Sequence, residues 1–375
     1  MVRAGGEAAW RERLAGMVFQ PAAVVALIAA ILVGVVIARE GGDPLALARI
    51  GTRYSEGDPV GSEGYDGQFI YYISLDPNPR TVARRLDAPA YRYQRLLLPL
   101  MARALSFGKS EWMPWVLALV GIVSQAAGAA AVTGLMSAWG QNRWYALVYG
   151  LFPGLLLSLR LDLPEPLAFG LVAGSLLALT KGKKVLGWLL LGTALFAKET
   201  TALFGLAVLL EAAWRRRWRD AAGLLAALAP YGVFQAWLWV TFGEPGLASG
   251  GAMATPFELI PLMGLWRIGS YSPLYLAAMI LVFGPFLLLP AFWGIWSGIM
   301  RLAAGQGNVV ALCLLLNSVT ILFLPFSTFR ETGGLLRFSC GLALSVICFA
   351  ACFRQKRVLN YSIFWVFLNV FLIKS

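Results

Sequence analysis

From Trp112 to Ala138 the chain runs without a charged side chain. A helix of about 20 apolar residues crosses the ~30 Å hydrocarbon core of a bilayer and satisfies its own backbone polar groups in doing so. Comparable runs fall near 18–38, 144–160, 165–180, 185–198, 200–214, 221–242, 273–300, 309–326, 338–353 and 359–372. Together they predict an all-α polytopic membrane helix bundle of about 11 transmembrane helices, a single integral membrane domain over 1–375. Composition agrees: charged residues make up 13% of the chain, against about a quarter in soluble domains, and mean hydropathy is +0.71. The first run is too long for the apolar stretch of a cleaved signal peptide and reads as an uncleaved helix.

The rest of the chain divides around these runs. Residues 1–17 form a short polar N-terminus, 39–111 a long hydrophilic loop, and 112–375 the helix bundle. Within the loop, the apolar piece 96–107 is short and interrupted by Pro99. It is expected to lie as an interfacial or re-entrant helix with its arginines at headgroup level.

The chain has no histidine. That excludes Ser-His-Asp and Cys-His nucleophilic chemistry and histidine metal sites, and leaves acid–base work to Asp, Glu, Lys or Tyr. Cys313, Cys340, Cys348 and Cys352 lie in or beside apolar runs without metal-ligand spacing, as packing residues do. The net charge of +12 reports membrane topology and not a nucleic-acid partner.

With the N-terminus placed inside, the inner segments collect Arg3, Arg11, Arg13, Arg143, Lys181, Lys183, Lys184, Arg215, Arg216, Arg217, Arg219, Arg301, Arg354, Lys356 and Arg357, which are 15 of the 31 basic residues. Of the 19 acids only Glu7, Glu12, Glu211 and Asp220 fall inside. Acids contribute little to topology, so their collection on the outer face needs a reason of its own, and an active site supplies one.

The outer segments then carry four charged clusters in apolar surroundings: Arg160-Leu161-Asp162-Leu163-Pro164-Glu165-Pro166; Lys198-Glu199-Thr200; Glu244, Glu258 and Arg267 within about 243–270; and Thr328–Arg337 with Arg330, Glu331 and Arg337. Ionisable groups near membrane depth face a cavity or one another. Arg160 with Asp162, Lys198 with Glu199, and Arg330 with Glu331 can be local ion pairs at helix ends. In the long loop, Gly64-Tyr65-Asp66-Gly67-Gln68 places a carboxylate just before the run Phe69–Ile73. Asp-Gly is also a common turn pair, and Asp66 fits a helix cap.

Transfer of a sugar from a polyprenyl phosphate to a hydroxyl needs few parts. A carboxylate serves as general base, and cations hold the leaving phosphate. Asp66 is the candidate base, and Lys198, Arg330 and Arg337 are the candidate phosphate-binding residues. Tyr65, Gln68, Arg92, Arg95, Asp162, Glu165, Glu199 and Glu331 are candidates for contacting sugar or acceptor. Asp76, before Pro77, and Asp87, near Pro89, are candidates either for a second carboxylate or for helix caps.

The stretches Tyr65-Asp66-Gly67-Gln68 and Ala90-Tyr91-Arg92-Tyr93-Gln94-Arg95, with Leu161–Pro166 and Ala197-Lys198-Glu199-Thr200 behind them, resemble a bacterial family of cell-surface glycopolymer formation proteins. That family is similar to the GT-C superfamily of multi-pass glycosyltransferases, which use polyprenyl-phosphate-linked sugars. The resemblance covers most of the first 240 residues. It implies a GT-C-like fold in a bacterial plasma (inner) membrane, with a long first outer loop whose Asp66 is the catalytic carboxylate. It implies as partners a polyprenyl-phosphate-linked sugar, an envelope glycan or lipid acceptor, and the bilayer, with no nucleic acid. Asp66 lacks the second acid of the superfamily's usual pair, so a divalent metal is conceivable but not indicated, and no metal ligands are assigned. The alternatives are a flippase or transporter for a lipid-linked saccharide, and a non-catalytic subunit of an envelope-polymer assembly complex.

Overall fold

The computed structural model describes residues 20–373. The N-terminal segment 1–17, with Arg3, Arg11 and Arg13, and the first residues of the 18–38 run lie outside them. Among the described residues every regular element is helical and no strand forms. Five helices among the described residues are long and apolar enough to cross a membrane: Pro21–Arg39, Met113–Ala138, Trp218–Phe242, Pro273–Ala303 and Thr332–Cys352. Three shorter apolar helices accompany them: Glu165–Thr180, Lys184–Ala197 and Val309–Leu322. The architecture is that of an all-helical membrane protein.

The first helix shows why. Its 19 residues extend about 28 Å at 1.5 Å per residue. Val25, Ala29, Val33 and Ile37, four apart, form one buried stripe, while Leu27, Ile31 and Val35 on the other side stay exposed. A helix apolar on both faces has no use for water on the outer one. Prolines open Pro21–Arg39, Pro153–Arg160 and Pro273–Phe283, where the missing N–H would have had no intrahelical partner.

Four expectations are corrected. The run 144–160 is not one span: it breaks into Ala146–Gly150 and Pro153–Arg160. Pro153 cannot donate the bond that would continue the helix. The freed carbonyls of Gly150 and Leu151 accept hydrogen bonds from Gln125 Nε2 (2.8 Å) and Asn369 Nδ2 (2.9 Å) instead. Pro99 does not interrupt the 96–107 piece, because it is the third residue of the Leu97–Leu105 helix, where its lacking N–H costs no intrahelical bond. The 328–337 segment, read as an outer connection, is helical at Phe326–Arg330 and again from Thr332, so that Thr332–Phe338 and Cys340–Cys352 form one apolar span. The chain after 356 also departs from a regular helix, passing through a 3-10 stretch at Ile363–Asn369.

The helices run between two ends. Trp139, Thr180, Lys184, Arg217, Asn308 and Cys352 converge on one cavity, so connections predicted to be inner share one end. The Glu165–Thr180, Lys184–Ala197 and Ala202–Trp214 helices carry the chain from there to Glu165, Lys198 and Glu199 at the other end, where the hydrophilic loop packs.

Candidate functional site

The hydrophilic loop delivers Asp66 through close backbone contacts. Gly67 lies so near the 161–164 turn that a Cβ on it would stand 2.2 Å from the Leu161 carbonyl oxygen. Gln68 pins the loop from inside: its Oε1 accepts from the Gly51 N–H (3.1 Å) and its Nε2 donates to the Glu63 carbonyl (2.6 Å). Gln68 is buried and holds the loop in place.

Asp66 occupies the N-cap position of the Gly67–Leu75 helix, but its side chain makes no capping hydrogen bond. Its carboxylate bridges two arginines. Oδ1 meets Arg92 Nη1 at 2.9 Å, and Oδ2 accepts from Arg337 Nη2 at 2.9 Å. Each guanidinium gives Asp66 one nitrogen and spends its others elsewhere. Arg92 forks onto Asp87 through Nε (2.7 Å) and Nη2 (2.9 Å). Arg337 donates through Nε to Glu165 (2.9 Å) and through Nη1 to the Tyr65 hydroxyl (2.9 Å), and that hydroxyl in turn donates to Glu331.

Behind this bridge lies a second set of ion pairs. Lys198 Nζ donates to Glu165 Oε1 at 2.5 Å. Arg95 forks onto Glu199 (3.0 and 2.7 Å) and donates to the Tyr91 hydroxyl (2.6 Å). None of the three local pairs expected from neighbouring charges is among these bonds. Lys198 turns from Glu199 to Glu165, Glu199 to Arg95, and Glu331 to Tyr65.

Arg330 stands apart. It is exposed, with its guanidinium 5.8 Å from the Phe326 ring centre. Asp162 is buried, and neither carboxylate oxygen has a hydrogen-bond partner. Its φ of 50° is a left-handed conformation that Asp tolerates better than most residues. Asp87 was read from sequence as either a second carboxylate or a cap. It orients Arg92, and its Oδ2 also accepts from the Ala252 N–H (3.1 Å), tying the 243–262 segment to the site. The available signal was the spacing: Asp87 precedes the Pro89–Tyr93 helix, and Arg92 lies one turn into it.

The cluster sets four cations (Arg92, Arg95, Lys198, Arg337) against four carboxylates (Asp66, Asp87, Glu165, Glu199). Burial alone would raise the Asp66 carboxyl, but the guanidiniums of Arg92 and Arg337 outweigh it and hold the group well below its ordinary range. Burial likewise opposes Glu199, and Arg95 overcomes it, bringing the carboxyl to about 2. Asp162 has no such cation, and burial pushes its carboxyl well up, toward the neutral acid. Among the described residues no group of three or more Cys, Asp or Glu could hold a metal ion.

No protein family, curated protein or solved structure matches the chain.

Proposed function

We propose that this chain is an inverting membrane glycosyltransferase of GT-C type. In this reading it moves a sugar from a polyprenyl-phosphate donor to a hydroxyl of an envelope glycan or lipid acceptor on the outer face of the membrane. One observation carries the reading. Of the four linked carboxylates, Asp66 keeps the most open side-chain surface, 26%, against 17% for Glu199, 7% for Asp87 and 0% for Glu165. It is also the one that bridges two arginines through single nitrogens. A base must reach its substrate, and a phosphate needs guanidinium forks.

The charge balance suggests an order. A donor phosphate brings negative charge into a cluster whose cations are already matched. The least disruptive exchange gives the phosphate the two single bonds that Arg92 and Arg337 make to Asp66, leaving Asp87 and Glu165 in place. Asp66, released from both guanidiniums, regains basicity and takes the proton of the acceptor hydroxyl. The hydroxyl oxygen bonds to the sugar C1 as the C1–O bond to phosphate breaks on the opposite face. Polyprenyl phosphate leaves in the grip of Arg92 and Arg337. Lys198 neutralises Glu165 and so frees Arg337 for this work. Arg330, exposed and next in sequence to Glu331, attracts the anionic donor. Arg95 and Glu199 hold the floor of the site.

The test is release of polyprenyl phosphate by the purified protein in lipid nanodiscs, from a panel of polyprenyl-phosphate sugars with candidate acceptors. Wild type is expected to release it and Asp66→Asn is not. Equal release by both proteins would remove Asp66 as the base.

A further inference from the structure

At the end of the bundle opposite Asp66, helix ends line a half-open cavity of about 320 Å³. That is space for about ten waters. Its inner wall is apolar and aromatic: Trp139, Leu176, Leu179, Trp188 and Val208. Its collar is ionic: Lys184, Glu211, Arg217 and Asp220. The collar's two acids are spent within it. Asp220 pairs with Lys184 at 2.7 Å and with Arg217 at 3.6 Å, and Glu211 pairs with Arg215 at 2.6 Å and with Arg217. Lys181, Lys183, Arg216 and Arg219 do not line the cavity, but they sit in or beside the same two inter-helix turns as the lining residues Lys184, Arg217 and Asp220, are exposed, and have no ion pair among the described residues. The two turns that flank the opening therefore carry surplus positive charge, while the charges that line it balance.

We infer that this cavity binds the phosphate headgroup of an anionic phospholipid, with the glycerol and first methylenes against the tryptophans. Basic pockets between membrane helices select anionic headgroups. The pairing of an apolar wall with a cationic collar matches an amphiphile better than it matches a soluble anion, which has no use for the wall. A zwitterionic lipid shares the apolar part but gains nothing from the surplus cations.

Cys352 supplies a built-in reporter. It lines the cavity, accepts a 3.5 Å hydrogen bond from Asn308 Nδ2, and is half-buried, whereas Cys313, Cys340 and Cys348 are buried. In the purified full chain in detergent, short-chain phosphatidylglycerol is expected to slow modification of Cys352 by a water-soluble maleimide at least fivefold more than phosphatidylcholine of equal chain length. Peptide mapping places the label. Lys181→Gln with Lys183→Gln, which breaks no ion pair seen here, is expected to erase most of that difference, and Arg217→Gln to erase it further. Native mass spectrometry should show phosphatidylglycerol retained by wild type and lost from the double variant. Equal protection by both lipids, with equal retention, would reduce the cavity to an apolar cleft. Protection by inorganic phosphate alone would make it a soluble-anion site. Either result overturns the proposal.

Discussion

Asp66 Oδ2 accepts a hydrogen bond from Arg337 Nη2 at 2.9 Å across 271 residues of chain. The bond ties the hydrophilic loop to the first turns of a late apolar helix. Arg337 is 7% exposed, and its three nitrogens reach Asp66, Tyr65 and Glu165. Losing it would leave Asp66 to Arg92 alone and Glu165 to Lys198 alone. Truncating one member of a buried ion pair costs about 3–5 kcal/mol, so Arg337→Met is expected to lower stability by that order in chemical or thermal unfolding. Arg337→Lys keeps the charge but cannot place three donors in one plane. It should recover only part of the stability and little activity. Full recovery by lysine would show that charge alone matters there.

The low Asp66 carboxyl gives a pH test. Because Arg92 and Arg337 hold it below its ordinary value, the acid limb of kcat/KM for the free enzyme should lie below about pH 4 if Asp66 is the base. Removing one cation raises the carboxyl. Arg92→Gln is therefore expected to move that limb upward, so that activity is lost at a higher pH than in wild type. A limb that stays in place or moves down would separate Arg92 from Asp66 in function.

Glu199 governs an acid-stability window. Its carboxyl falls from 4.5 to about 2 on folding, so the folded state binds fewer protons than the unfolded one between those values. The stabilisation is complete above pH 4.5 and is lost as pH falls toward 2. Tm of Glu199→Gln, measured across pH 2–7, should vary less steeply through that interval than Tm of wild type.

Asp162 predicts the opposite sign. Burial without a partner raises its carboxyl, so the folded state keeps a proton that the unfolded state gives up, and stability declines as pH rises past the ordinary carboxyl value. Asp162→Asn keeps the neutral shape and tolerates the φ of 50°. It is expected to raise Tm at neutral pH, with about 1.4 kcal/mol available for each unit by which the carboxyl is raised. A fall in Tm on this substitution would mean that Asp162 is ionised and held by a cation or water.

Legibility of the site varied by residue. Glu165, Lys198, Glu199, Glu331 and Arg337 were picked out in sequence as charges in apolar surroundings, and Tyr65, Asp66, Arg92 and Arg95 as candidates in the hydrophilic loop; the structure brings them to one end of the bundle. Their pairings were not legible. Neighbouring charges suggested Lys198 with Glu199, but both lie at the junction of two helices, where backbone direction turns them apart. Gln68 looked like a substrate contact, yet it bonds two backbone groups of its own loop. Gly67 looked like half of a turn pair, yet its lack of a side chain is what lets Leu161 approach.

The sequence by itself determined the solvent and the secondary structure. Runs of apolar residues without charge can be accommodated only as helices that satisfy their own hydrogen bonds, and that rule is local, so the helix positions follow from it. Proline supplied the exceptions that local rules can still explain, at Pro153 and Pro99. Only the tertiary structure decided which charge meets which. Ion pairing depends on distance in space, and the partners of Asp66 and Glu165 lie 271, 172 and 33 residues away along the chain. Helix packing fixes those distances, because a guanidinium buried at the end of a bundle has to take whichever carboxylate the neighbouring helices present.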